Sequence, residues 1–280
     1  MTTYFVFFAF IIVIIFDTFE SHIQSCSKWN PNGETVVGNE LNDVESITIV
    51  GTDILYVVDR YNNQNRLQRY LSGSLVGHTL WQGFDSIVFI DENGTIYTAS
   101  NDGKIKRWIE NEQQSEEINC QCNQCSRVWF DSEEQNLYIV ERYRSRVIKC
   151  NLNTNKTIIV AGTTDIDGSS NETLSYPYSL YINSKQDMYI ADVNNHRIQK
   201  WTSNTATAGV TVAGQMKNTS LHRPYDVIVD QNNFMYIADT NNHRIIRWKE
   251  GELHGEVLCG ISSNSNFVFF FKLIHLYENL

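Results

Sequence analysis

The segments MYIADVNNHRIQKW (188–201) and MYIADTNNHRIIRW (235–248) agree at eleven of fourteen positions, forty-seven residues apart. A chain that rewrites one short unit at a regular interval folds by stacking supersecondary copies, because a single copy cannot bury its own apolar faces. Three drifted copies precede these two. LYVVDRYNNQNRLQRY (55–70) has a longer turn, IYTASNDGKIKRW (96–108) is one residue shorter, and LYIVERYRSRVIKC (137–150) ends in Cys150 where the others end in an aromatic. The anchoring tyrosines Tyr56, Tyr97, Tyr138, Tyr189 and Tyr236 are 41, 41, 51 and 47 residues apart. That period excludes leucine-rich and ankyrin repeats and fits a four-stranded blade.

Each copy reads as two strands around a polar turn. In MYIAD, Met235 and Ile237 point to one face while Tyr236 and Ala238 point to the other, so both faces need cover. In RIIRW, Ile245 and Trp248 fall on opposite faces in the same way, as does Trp201 in its own copy. Asn tolerates left-handed backbone, which makes Thr240-Asn241-Asn242-His243 a turn. Asp239 and Arg244 then begin opposite arms of a hairpin, within reach of a cross-strand pair. The same frame places Asp59 with Arg66, Glu141 with Arg146, and Asp192 with Arg197. Because these residues, with Asn195, His196, Asn242 and His243, recur from copy to copy, their expected role is to maintain the hairpin. A short strand precedes each copy: 46–51, 85–91, 126–131, 178–183 and 225–230. Another follows at 157–162, 209–214 and 255–260. No sustained helical period appears after the leader.

The ADxNNHRI segments, best matched by Asn195-His196-Arg197-Ile198 and Asn242-His243-Arg244-Ile245, resemble the NHL repeat over roughly residues 30–260. The resemblance implies an all-β fold, a six-bladed β-propeller of the NHL/TolB-like type. Residues 46–260 supply five complete four-stranded blades, and GETVVG (33–38) reads as a lone outer strand. The expectation is therefore five complete blades plus an incomplete sixth. The expected organisation is a leader over 1–25, a propeller over 26–260, and a degenerate sixth blade or aberrant tail over 261–280. Ring closure would bring Cys26 near Cys259, the disulfide this architecture favours.

Residues 4–16, YFVFFAFIIVIIF, are uncharged and short for a membrane span, which wants about 20 residues. They fit a secretory signal, or an anchor if uncleaved, so membrane association is expected only in the second case. The chain has six cysteines, and the cluster CQCNQC (120–125) has no second pair to complete a zinc site. In an oxidising compartment it reads as disulfide-forming. Sequons at Asn93, Asn155, Asn171 and Asn218 fall in expected loops. A formal net charge of -10, with no run of five basic residues, argues against nucleic acid as a partner.

The functional expectation is a non-catalytic, secreted or anchored module that binds a protein or a glycan through its loops, with no cofactor, catalytic residue or metal. The alternative is an enzyme with a cation on the channel axis, of the amidating-lyase or lactonase kind. Asp85, Asp91, Asp131, Asp226 and Asp230 lie at or beside the innermost strands, but their recurrence in frame favours turn formation. His78, His222 and His254 lie outside the motif and read as loop residues.

Overall fold

The computed structural model describes residues 46–260 except 51–53, 72–73, 75, 84–86, 92–94, 100–102, 109–114, 124, 132–134, 203–206 and 215–220. It also describes 5–8, 11–14, 41 and 276–277. Ahead of residues 46–260, β1 (Phe5–Phe8) and β2 (Ile11–Ile14) pair antiparallel as a two-stranded sheet. No helix among the described residues is long and apolar enough to cross a membrane.

Five sheets follow in chain order, each built from four consecutive antiparallel strands. The first holds β3 (Ser46–Val50), β4 (Ile54–Tyr61), β5 (Gln64–Leu71) and β6 (His78–Gly83). The second holds β7 (Ile87–Ile90), β8 (Ile96–Ala99), β9 (Lys104–Trp108) and β10 (Ser115–Gln121). The third holds β11 (Cys125–Asp131), β12 (Asn136–Glu141), β13 (Arg146–Asn151) and β14 (Lys156–Gly162). The fourth holds β15 (Pro177–Ile182), β16 (Met188–Asp192), β17 (Arg197–Trp201) and β18 (Val210–Ala213). The fifth holds β19 (Pro224–Val229), β20 (Phe234–Asp239), β21 (Arg244–Lys249) and β22 (Glu256–Gly260). The first strands of successive sheets, β3, β7, β11, β15 and β19, are neighbours, so the sheets fan out from them as propeller blades.

The core lies between blades, as two-sided apolar strands require. Met235, Ile237, Ile246 and Trp248 of the fifth blade meet Tyr189, Ala191 and Ile198 of the fourth. The opposite face of the fourth blade, with Leu180, Met188, Ile190 and Trp201, packs on Tyr138, Val140 and Val147 of the third. The recurring tyrosines Tyr56, Tyr97, Tyr138, Tyr189 and Tyr236 are all buried in these layers.

Six blades with an incomplete last one are not what the structure shows. Five four-stranded blades are present, and no sixth occurs among the described residues. Part of the expected sixth-blade tail instead forms β23 (Leu276–Tyr277), which pairs in parallel with β3 through Leu276↔Ile49 and Tyr277↔Val50. The physical reason is an open edge: β3 pairs with β4 on one side only, and its other side offers backbone groups that a further strand can bond. Leu276 and Tyr277 add to that existing edge, where their backbone groups find partners. The lone strand expected at 33–38 lies outside the described residues, as does Cys26, and with it the expected Cys26–Cys259 bridge.

Two other disulfides are formed, Cys120–Cys150 and Cys122–Cys125. Cys150 occupies the slot that Trp201 and Trp248 fill in later blades, and all three are buried. The third blade thus exchanges an aromatic plug for a covalent tie to the end of β10. The Cys120–Cys150 bridge closes a loop with a sequence separation of 30. Restricting the unfolded chain over that span contributes roughly 3–4 kcal/mol. A Cys120→Ala/Cys150→Ala protein is expected to lose about that much in urea unfolding, with an unchanged β-sheet circular dichroism spectrum at 25 °C.

Candidate functional site

The hairpin turns between the second and third strands of the blades lie against the loops that connect one blade to the next. In the fourth blade, Asp192 ends β16 and pairs in register with Arg197, the first residue of β17. Its Oδ2 accepts from Arg197 Nε at 2.8 Å and from Asn195 Nδ2 at 2.8 Å. Its Oδ1 accepts from the backbone N–H of Ser175, at 2.7 Å, in the loop leading into β15. Arg197 donates onward to the carbonyls of Ser169, Ser170 and Thr173 at 2.9, 2.9 and 3.1 Å. Asn195 donates to the carbonyl of Gly168 at 2.7 Å. Burial pushes the Asp192 carboxyl above its usual range, against the pull of these donors.

The fifth blade repeats the arrangement. Asp239 Oδ2 accepts from Arg244 Nε at 2.7 Å and Asn242 Nδ2 at 2.8 Å, while Oδ1 accepts from the His222 N–H at 2.6 Å. In the third blade Glu141 takes the Asp position. It accepts from Arg146 Nε and, at 2.6 Å, from the N–H of Asn123. In the first blade Arg66 grips Asp59 with Nε at 2.9 Å and Nη2 at 2.7 Å. In the third to fifth blades these residues tie hairpins to connecting loops, and in the first they close the hairpin itself.

The residue before the recurrent cation is left-handed in the second to fifth blades, where Gly103, Ser145, His196 and His243 all have positive φ; in the longer turn of the first blade Asn62 and Asn63 take that conformation instead. Histidine is thus one of several residues that fit this backbone. Its carbonyl crowds the glycine of the VAG segments. A Cβ on Gly162 would meet Ser145 O at 2.3 Å, and one on Gly214 would meet His196 O at 2.4 Å. His196 adds a contact of its own, since its Nδ1 accepts from the Arg223 N–H at 3.1 Å. The ring lies 5.2 Å from that of His222. The inner-strand acids are likewise engaged in turns and packing. Asp91 accepts from Thr95 N–H, Asp230 from Asn232 and Phe234 N–H, and Asp226 from the Ser179 hydroxyl. Asp85, Asn93 and Asn218 lie outside the described residues; Asn155 and Asn171 are exposed. Among the described residues, no three His, Cys, Asp or Glu side chains converge as a metal site.

A second set of residues on this face was not singled out by the repeat. Tyr178 and Tyr225 hold the same place in β15 and β19, each directly after a proline that is paired with the blade's aspartate. Their rings are 4.7 Å apart. Tyr176 stacks edge-on against Tyr143 at 5.4 Å, and Tyr143 is 55% exposed. The Arg142 guanidinium sits over Tyr143 at 4.7 Å, Tyr176 at 5.6 Å and Tyr178 at 5.9 Å. Burial and the neighbouring Tyr143 push the Tyr176 phenol up, with Arg142 opposing, so it stays a hydrogen-bond donor at neutral pH. The sequence signal that marks this cluster is the recurring Pro-Tyr pair at 177–178 and 224–225.

Five radiating four-stranded blades joined by such ties decide the architecture. The fold is that of a β-propeller. No family model matches the sequence, and no curated protein sequence matches it. Solved structures do. An auxiliary nutrient binding protein from Bacteroides thetaiotaomicron aligns with a TM-score of 0.63 and 20% identity, over 79% of this chain and 62% of that one. A chain of a nidogen/laminin complex aligns with a TM-score of 0.65 and 14% identity, over 81% and 83%. Virginiamycin B lyase from Staphylococcus aureus aligns with a TM-score of 0.58 and 12% identity, over 82% and 74%. This propeller spans less than two thirds of the nutrient binding protein's length. At these identities the likeness establishes the fold, and one fold hosts unrelated activities.

Removing a buried acid strands its arginine, which commonly costs about 3–5 kcal/mol. The Arg197 side chain is 9% exposed and that of Arg244 26%, so water can rescue the second better. Asp192→Ala is expected to destabilise by about 3 kcal/mol in urea unfolding, and Asp239→Ala by clearly less. A second expectation concerns His196. Burial, then His222 and Arg223, hold its pKa below the usual histidine range despite Asp239. A depressed histidine favours the folded state while neutral. That contribution is complete above about pH 6.5 and fades as pH falls through the folded value. His196→Asn keeps a residue that tolerates the left-handed turn. It should show a smaller fall in Tm between pH 7 and 5 than the parent protein.

Proposed function

We propose that this chain is a non-catalytic propeller of the NHL-repeat type. In this reading it works in the secretory or extracellular space and binds a protein or glycan through the face carrying Tyr143, Tyr176, Tyr178, Tyr225 and Arg142. The observation that carries it is the division of labour on that face. The repeated Asp, Asn and Arg residues are spent on holding loops, while an aromatic and cationic cluster spanning three blades stays partly open. Tyrosine and arginine are the side chains that most often anchor binding surfaces, offering large rigid area at small entropy cost. The likeness to a nutrient binding protein and to a chain of a nidogen/laminin complex agrees with a binding role. Paired cysteines, the apolar leader and the exposed sequons at Asn155 and Asn171 support the compartment.

The likeness to virginiamycin B lyase favours one second reading, a propeller enzyme. Secreted full-length protein applied to arrays of glycans and extracellular proteins separates the two. The expected result is a reproducible ligand whose affinity drops at least about tenfold in Tyr178→Ala/Tyr225→Ala. Ile158→Ser, on the exposed outer strand β14, should leave that affinity unchanged. A stoichiometric bound metal with turnover of a cyclic ester or peptide would instead support the enzyme.

A further inference from the structure

The run Arg142-Tyr143-Arg144-Ser145-Arg146 presents three arginines with three different fates. Arg146 is bound to Glu141 and to Thr164 Oγ1 at 2.7 Å. Arg144 holds Asp165 with two parallel bonds of 3.0 Å. Arg142 has no side-chain hydrogen bond among the described residues, and its Nε is sealed from solvent without a partner. Its neighbours are the rings of Tyr143, Tyr176 and Tyr178. A guanidinium held by ring faces keeps its direction while its planar fork of donors stays unspent. Such a fork matches a carboxylate, which it can bind through two parallel bonds.

A second, independent observation lies in the backbone beside it. Tyr176 and Arg223 each precede the proline of a Pro-Tyr pair with positive φ, at 55° and 51°. For bulky residues this is a costly conformation, the kind retained where a side chain must be aimed. It sets the Tyr176 ring against Tyr143 and the Arg223 guanidinium against Asn194 Oδ1 at 3.1 Å.

We propose that Arg142, framed by Tyr143, Tyr176 and Tyr178, receives the carboxylate of an acidic glycan, a uronate-bearing oligosaccharide. The inference rests on the binding role proposed above and adds the chemistry of its ligand. The ring pairs Tyr143–Tyr176 and Tyr178–Tyr225 offer apolar aromatic surface, which suits the C–H face of a sugar ring. Charge selects the density of the ligand. A protein of net charge -10 repels densely charged polyanions and acidic peptides at long range. A glycan with one carboxylate for every second sugar meets far less repulsion and still fills the fork.

The test is isothermal titration calorimetry on the full secreted chain with three probes: hyaluronan tetrasaccharide, the neutral N-acetylglucosamine tetramer, and tetraglutamate. The expected result is binding of the first, with at least tenfold weaker binding of the other two. Arg142→Gln should weaken the first at least tenfold, and Arg142→Lys, which keeps the charge but loses the planar fork, by a smaller factor. Unchanged circular dichroism and Tm in both variants separate lost recognition from lost fold. Equal affinity for the neutral tetramer, preference for tetraglutamate, indifference to Arg142→Gln, or no binding of any probe each overturns the proposal. If Tyr178→Ala/Tyr225→Ala still abolishes binding of an array ligand in those cases, the binding role stands and only the carboxylate is wrong.

Discussion

The buried acid that closes each strongly kept hairpin is the interaction on which the rest of this propeller depends. Asp192, with no exposure, joins the two central strands of its blade through Arg197 and fixes the incoming loop through the Ser175 N–H. Its arginine then fastens three carbonyls of the same connection. The connection is thus held to the blade at Gly168, Ser169, Ser170, Thr173 and Ser175. The arrangement is strong because it is shared. Asp192 serves three partners, Arg197 four and Asn195 two, and none can be lost without stranding the others.

Where the repeat drifts, another device takes over. The second blade has a shortened turn, and its Lys104 pairs with Glu117 at the surface. The junction after it is tied covalently, by Cys120–Cys150, and its connecting loop is pinched by Cys122–Cys125. The third blade accepts Glu141 for Asp because the longer side chain still reaches Arg146 and the Asn123 N–H. Strict repeats in the fourth and fifth blades and substitutes in the earlier ones give the same geometry.

The binding face follows from this economy. The polar residues that a repeat search finds first are occupied inside the scaffold. The residues left to meet a ligand are those that the scaffold merely positions: Tyr178 and Tyr225 at the start of innermost strands, Tyr143 and Arg142 in a turn, and Tyr176 on strained backbone. They come from three blades and are brought together by the packing of β11, β15 and β19.

Five Tyr-anchored copies at a near-constant interval determined the strands, their two-sided burial and the propeller architecture, because period and alternation are local properties of the chain. The pairing of Asp with Arg across each turn was legible for the same reason, being set by hairpin register. Blade number was not. The tail 261–280 carries apolar character suited to a strand but nothing that specifies its partner, and β23 joined the first sheet, where an unpaired edge was available. The Cys120–Cys150 pairing and the Tyr–Arg cluster were also decided only in three dimensions. Cys120 and Cys150, like Arg142 and Tyr178, are distant in sequence, and contact between them depends on the stacking of one blade on the next.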